Sequence, residues 1–447
     1  MSRRADSTTE NPLYRFVETH FGVYILLHIF LALVIRSSAF LSTLYVILFF
    51  GAALGLAAAG RVEVAAFACA YTAGGEVLWR MTGARIPWES GKYVTSAILL
   101  VSIARSVRWR PPALPTLYFA LLIPSIVFVI TMSDLSRIRQ DLSFNLSGPF
   151  SLMIVAWFFS GLALSRSEVL CLFKVLVGPL AGIAAIALYT TLSAVHLQFG
   201  HESLKITSGG FGPNQVSSVL GLGCLLCILH VIEPGLGARR RLLMFLAACF
   251  FAIHSAMTFS RSGLYFAGIG TALAVLCTCG NLVRLLRITS VCVAVLAATY
   301  LLILPRLDAS TNGALLKRFA DTDSTGRDQL LAADLQVWLN HPLLGVGPGQ
   351  SRHAHFKLGH GGALATHSEY ARLLAEHGLF GLASLVILLT MGIRNLFHAH
   401  NGHAVGLLLP VVVWGHLFLV TNAARLVSPF ALIGLTFATL TAERDRP

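Results

Sequence analysis

Charge is what this sequence has least of. Asp, Glu, Lys and Arg make up 12% of its 447 residues, against roughly 25% in a soluble globular domain. So few charges cannot cover a water-facing surface of this size, which excludes a soluble fold and leaves lipid to cover an apolar exterior. Acidic groups are the scarcer, 20 against 33 Lys and Arg, for a net charge of +13. The excess forms no basic helix and no aromatic–basic module, so nucleic acid is not an expected partner. Cys69, Cys171, Cys224, Cys227, Cys249, Cys277, Cys279 and Cys292 all fall in or beside apolar runs, where thiols pack. Cys224 and Cys227 have a C-x-x-C spacing but no second pair or nearby histidine, which argues against a metal or redox site.

Other familiar site patterns are missing too. The run Gly345-Val346-Gly347-Pro348-Gly349 lacks the strand and the Gly-Lys-Ser/Thr ending of a nucleotide loop. His353, His355, His360 and His367 do not have the i, i+4 spacing of a zinc helix. Asp321 and Asp323 form a D-x-D pair, but they precede a helix start, where acids are expected anyway. No metal ligand is assigned. No small-residue cleavage site follows the first apolar run, which reads as a first transmembrane helix and not a removed signal.

What the chain does have is hydrophobic runs, 56% of its residues being hydrophobic. Fourteen candidate spans lie near 21–35, 39–59, 63–79, 91–104, 114–133, 149–165, 169–193, 214–232, 242–259, 262–279, 288–304, 367–392, 403–421 and 426–441; most are long enough to cross a hydrocarbon core of roughly 30 Å as helices. Gly51 and Gly55 permit close helix approach in the second. With the N-terminus inside, Arg105, Arg108 and Arg110, then Arg239, Arg240 and Arg241, then Arg284 and Arg287, and the tail with Arg444 and Arg446 fall on the cytoplasmic side. Arg85, Lys92, Arg137 and Arg139 fall outside and dilute that signal. The chain divides into a helical bundle over 1–304, a large outer loop over 305–366, and C-terminal helices over 367–447.

The loop has order of its own. Thr325-Gly326-Arg327-Asp328 has capping-box spacing, and Leu331, Leu335, Trp338 and Leu339 recur at helical spacing. A helix from about Gly326 to Asn340 is predicted, ended by the Pro- and Gly-rich stretch from Pro342 to Gly349.

Four groups of polar residues stand out against the apolar background. Arg261, between two apolar spans, is either an arginine snorkelling to the interface or a fixed cation for a lipid phosphate. Arg318 and Arg327 flank Asp321-Thr322-Asp323; an arginine in a first helical turn adds charge to an electropositive end, which points to an anion partner. His367 opens the twelfth span, where neighbouring arginines would hold its ring neutral, as a general base requires. Arg372 and Glu376, at i, i+4, read as a pair facing the protein interior.

These pieces together resemble the O-antigen ligase and polymerase superfamily of bacterial envelope glycan enzymes. The resemblance rests on Thr258-Phe259-Ser260-Arg261-Ser262-Gly263, on Gly326-Arg327 followed by Trp338 and Asn340-His341-Pro342-Leu343-Leu344-Gly345-Val346-Gly347, and on His367-Ser368-Glu369-Tyr370 followed by Glu376-His377-Gly378-Leu379-Phe380-Gly381. Phe211-Gly212-Pro213-Asn214 looks like the family's Pro-Asn element. The motif-bearing part is roughly the second half of the chain. Many members have Asn where this chain has Ser368.

The resemblance implies an all-α, GT-C-like bundle of about 12–14 spans with one large periplasmic loop containing short helices, in the bacterial inner membrane. It implies an inverting, metal-independent glycosyltransferase without cofactor, whose donor is a glycan on undecaprenyl diphosphate. The acceptor would be lipid A core for a ligase, or another lipid-linked repeat unit for a polymerase; ligase is the preferred reading. His367 is matched to the family's histidine, as base, and Arg261 and Arg327 to its arginines, with Arg318 second, as diphosphate ligands. Asn214, Glu369, Tyr370 and Arg352 are supporting candidates. A lipid-linked glycan flippase is the reading from another class. It would suit many spans, but the distinctive residues gather on one face and no internal repeat is evident.

Overall fold

The apolar runs fold as helices whose ends follow local signals. Ser38 starts α3 (Ala39–Ala58), its hydroxyl accepting the Phe40 N–H. Asp134 starts α8 (Leu135–Ser160), and Ser165 with Glu168 forms a reciprocal capping box on α9 (Arg166–Leu192). Pro213 opens α10 (Pro213–Val231), where a missing N–H costs nothing. The computed structural model describes residues 12–105, 111–130, 134–194, 203–278, 286, 304–321, 326–357, 367–399 and 402–441. The expected span at 288–304 lies essentially outside them. So do Arg108, Arg110, Arg284, Arg287, Arg444, Arg446, Cys279, Cys292, Thr322, Asp323, Thr325 and His360.

Among the described residues eight helices are long and apolar enough to cross a membrane, or nine if the bent pair α1 (Pro12–Thr19) and α2 (Phe21–Arg36) is one span. The chain is an all-α polytopic membrane protein. The best apolar window of α9 is 100% buried and that of α3 only 22%, which makes α9 the centre of the bundle and α3 part of its rim. Exposed Phe40, Ile47 and Leu48 on α3 are the surface such a rim presents to lipid. The buried charge on α9, Lys174, is neutralised by Glu18 of α1 at 2.5 Å, as a charge at that depth requires.

Several expected boundaries move. The run at 149–165 is only the second half of α8. The first half is helical although it carries Arg137, Arg139 and Asp141, because the buried polar groups Asp141 and Asn145 are satisfied by Gln350, Arg352 and Arg372 from elsewhere in the chain. The run at 114–133 gives one of the eight spans, Ala113–Ile130, built from α6 (Ala113–Ala120), a 3-10 turn at Pro124–Ile126 and α7 (Val127–Ile130). Lys92, expected in an outer loop, is inside α5 (Ser90–Ala104), fully buried against Glu89. The run at 426–441 gives only α19 (Ser428–Leu435), roughly 12 Å long at 1.5 Å per residue and too short to span. The described residues then end in β2 (Thr439–Thr441), which pairs in parallel with β1 (Ala163–Ser165).

After α11 (Ala238–Met257) and α12 (Ser262–Thr278), the described residues continue with α13 (Leu304–Ser310), α14 (Ala314–Ala320), α15 (Arg327–Asn340) and α16 (Ser351–Lys357). The predicted helix over 326–340 is thus present as α15. Its N-cap is Gly326 at φ +78°, with no side-chain cap.

The stretch 342–347 is locked to α17 (Glu369–Ala399) at a break in that helix at Gly378 (φ +61°, ψ −133°). The break frees backbone groups that lipid cannot satisfy. Val346 N–H donates to Ala375 O at 3.1 Å and Gly347 N–H to Glu376 O at 2.9 Å, while Leu379 N–H donates to Pro342 O at 2.7 Å. Backbones approach so closely that a Cβ at Gly378 would lie 2.5 Å from the Leu343 carbonyl carbon. The residues that the sequence offers as two motifs, 340–347 and 376–381, are two sides of one junction. α18 (Gly402–Asn422) then returns towards the end of α17 that follows His367.

Candidate active site

The first side of the site is the link between α11 and α12. Phe259 is buried at φ +58°, a left-handed conformation costly for a bulky residue. Neighbours hold it there. Ser217 Oγ donates to the Ser260 carbonyl at 2.8 Å, Ser260 Oγ donates to Asn214 Oδ1 at 2.8 Å, and Arg318 Nε donates to the Phe259 carbonyl at 3.2 Å. Asn214 thereby fixes the residue before Arg261.

Arg261 donates through Nη1 to the Asp321 carbonyl, and Arg318 reaches the Asp321 carboxylate at 3.4 Å. Two guanidinium groups from different elements therefore meet at the end of α14. Arg327, half-buried in the first turn of α15, has no hydrogen bond or ion pair among the described residues. Burial, and then the positive charges of Arg318 and Arg261, pull its guanidinium below the ordinary value. Among the described residues Arg261 and Arg318 both bond Asp321, and Arg327, whose charge acts with theirs, is the cation that a bound anion would partner.

His367 lies just before α17. Its Nδ1 is buried with no hydrogen-bond partner among the described residues. Burial, and then Arg425 and Arg327, lower its pKa to about 4, so the ring is neutral at pH 7. The charge of Arg327 therefore acts on the histidine and is acted on by the Arg261–Arg318 corner.

The supporting residues divide. Glu369 is buried, paired with Arg372, and accepts the Ala424 N–H at 3.1 Å. Tyr370 shares a 2.8 Å hydrogen bond with His416 Nδ1 on α18. Arg352 lies in a separate cluster, bound to Asp141 at 2.8 Å beside His353 and Arg137. Arg372 also pairs with Glu376 at 2.7 Å, the pairing that their spacing suggested. The histidines are dispersed: His355 bonds Asp334 of α15 at 2.8 Å. Among the described residues no group of three His, Cys, Asp or Glu is placed to hold a metal ion.

Sequence reasoning missed Arg425 and Arg80. Arg425 sits between α18 and α19, and Arg80 of α4 (Val62–Met81) donates to its carbonyl at 3.1 Å while pairing with Glu76 at 2.6 Å. Burial, then Arg80 and Arg327, lower the Arg425 guanidinium. A signal was present: the parity that puts His367 outside puts the 422–425 link outside as well, where an arginine runs against the positive-inside tendency.

A family model described as O-Antigen ligase matches residues 242–386. The match takes in Arg261, Arg318, Arg327, Arg352, His367, Glu369 and Tyr370, and leaves Asn214, Arg80 and Arg425 outside. No curated protein matches the chain.

Proposed function

We propose, from the match of residues 242–386 to a family model described as O-Antigen ligase, that the chain is an inverting O-antigen ligase. It moves a glycan from undecaprenyl diphosphate to a hydroxyl of lipid A core, on the periplasmic face of the bacterial inner membrane. The observation that carries this reading is the Arg261–Arg318 corner at Asp321, with the charge of Arg327 acting both there and on a neutral imidazole whose buried Nδ1 has no hydrogen-bond partner among the described residues. In this reading the segment 305–366 closes over the bundle of 1–304 and brings arginines to the histidine that begins 367–447.

The chemistry follows from those groups. The acceptor oxygen attacks the anomeric carbon as its proton passes to His367 Nδ1. The bond from that carbon to the diphosphate oxygen breaks, and the electron pair leaves with the diphosphate. Charge grows on that oxygen, where fixed guanidinium donors are worth most; in other enzymes one such donor supplies on the order of 10²–10³ in rate. A single displacement inverts the anomeric centre. A ring with a pKa of about 4 is a weak base in the empty site. The bound diphosphate offsets the field of Arg327 and Arg425, so the ring's basicity rises when the substrate is in place.

The test is reconstitution with an undecaprenyl-diphosphate glycan, EDTA and two acceptors, lipid A core and a second lipid-linked unit. Transfer to core in EDTA is the expected result. A growing ladder on the lipid carrier would make the protein a polymerase instead. Label that crosses vesicles with the donor unchanged would replace the enzyme with a transporter.

A further inference from the structure

Arg425 is held with more care than a surface arginine needs. The segment around it is fixed at four points. Glu369 accepts the Ala424 N–H at 3.1 Å, Arg80 donates to the Arg425 carbonyl at 3.1 Å, Glu76 accepts the Val427 N–H at 2.6 Å, and Ser428 donates to the Ala73 carbonyl at 2.6 Å. Ala423 is bent to φ +53° at its start. Asn422 Nδ2 donates to Ser218 Oγ at 3.3 Å, which ties the segment to the helix carrying Asn214. Residues 423, 424, 426 and 427 are all buried, and Arg425 between them is half-buried.

The carboxylates that hold this segment take backbone groups, not the Arg425 side chain. Glu76 is paired with Arg80 and Glu369 with Arg372. Among the described residues the Arg425 guanidinium has no hydrogen bond or ion pair. A half-buried cation without a counter-charge is costly, and here the backbone is fixed so that the cation stays. That is the condition of a binding group awaiting an anion.

Its place relative to the base decides which anion. In a single displacement at an anomeric carbon, the attacking hydroxyl and the leaving group lie on opposite faces of the sugar. His367 marks the attacking side. Glu369, two residues after His367, accepts the Ala424 N–H beside Arg425, and Arg425 and then Arg327 are the charges that act on His367, whereas Arg261 and Arg318 both bond Asp321. The latter pair therefore suits the leaving diphosphate, and Arg425 suits the acceptor.

We propose that Arg425 binds an anionic group of the acceptor, a phosphate or carboxylate close to the accepting hydroxyl, and so selects an acidic acceptor saccharide. The proposal rests on the transferase reading above for what counts as acceptor and donor.

The probes are the phosphorylated core oligosaccharide of lipopolysaccharide and the same oligosaccharide after chemical dephosphorylation. Binding of each to full-length protein in nanodiscs is measured by calorimetry, and transfer by steady-state kinetics, for wild type, Arg425→Gln and Arg425→Lys. Wild type should favour the phosphorylated probe by about tenfold or more, the worth of one charge-assisted contact. Arg425→Gln should erase that preference and raise the acceptor KM while leaving the donor KM unchanged, and Arg425→Lys should restore part of it. An Arg425→Gln protein with raised donor KM and intact acceptor preference would overturn the proposal, and so would one unchanged in both. If Arg425→Gln does not fold, a wild type that binds both probes equally is enough to overturn it. Preferential binding without any transfer would sink the transferase reading and leave the anion site standing.

Discussion

Glu369 accepts the backbone N–H of Ala424 at 3.1 Å, so a carboxylate two residues after His367 fixes the backbone one residue before Arg425. The same carboxylate pairs with Arg372, which also bonds Glu376 and Asn145. One buried side chain thus ties the proposed base to the segment that carries Arg425, and does so from within an ion-pair network that holds α8 and α17 together.

Removing that side chain should act on both. Breaking a buried ion pair while one partner remains costs roughly 3–5 kcal/mol. Arg372 keeps Glu376 at 2.7 Å, so Glu369→Ala is expected at the lower end, and Glu369→Gln, which retains an oxygen for Ala424, should lose less. Thermal unfolding in detergent measures this. An Ala variant that melts with wild type would contradict the assigned network.

The histidine gives a pH signature with a definite sign. Its neutral form is the active one, and its pKa in the empty site is about 4. The acid limb of kcat/KM, which reports the free enzyme, should therefore lie well below the ordinary histidine range. The limb of kcat should lie at higher pH, because the bound diphosphate cancels part of the arginine field. Removing a positive neighbour makes protonation easier and raises the pKa, so Arg425→Gln should move the kcat/KM limb to higher pH. A limb that stays in place would remove Arg425 from the neighbourhood of the base.

Arg327 has no hydrogen-bond or ion-pair partner among the described residues to lose, so its substitution should leave stability nearly unchanged and strike activity. Arg327→Gln is expected to lower kcat by on the order of 10²–10³, the range for loss of one preorganised donor. Arg327→Lys should recover little, since a point charge does not replace a planar two-pronged donor. Wild-type turnover in either variant would exclude Arg327 from the leaving-group site.

The junction at Gly378 offers a test of the architecture that is independent of function. A Cβ there would lie 2.5 Å from the Leu343 carbonyl carbon and 2.7 Å from Gly345 N, at a φ of +61°. Backbone strain of about 1–3 kcal/mol adds to an overpacking cost of about 1–3 kcal/mol. Gly378→Ala should express poorly or melt far below wild type, and a variant of normal stability would show that the two segments do not meet.

Much of this could be read from the sequence because local chemistry determined it. Apolar runs bounded by Ser38, Ser165 and Pro213 became helices where expected. The helix at 327–340 is where the leucine spacing placed it, but it buries Ala333, Asp334 and Val337 and leaves Leu331, Leu335 and Leu339 exposed; the Arg372–Glu376 pair followed from its i, i+4 separation. What escaped was decided by tertiary partners. The polar half of α8 is a helix because Gln350, Arg352 and Arg372 come to it from outside its own stretch of chain. Arg425 and Arg80 looked like ordinary charges at the ends of apolar runs, and only packing puts one against the carbonyl of the other. The last apolar run stops at eight helical residues because the chain after it pairs with β1.

The central claim is that His367 takes the acceptor's proton. The most direct measurement is single-turnover transfer by His367→Ala beside wild type, with donor affinity determined separately on the same preparations. The account predicts unchanged donor binding and a transfer rate lower by about 10²–10⁴, the usual worth of a positioned base. Transfer at the wild-type rate by the well-folded variant would contradict it.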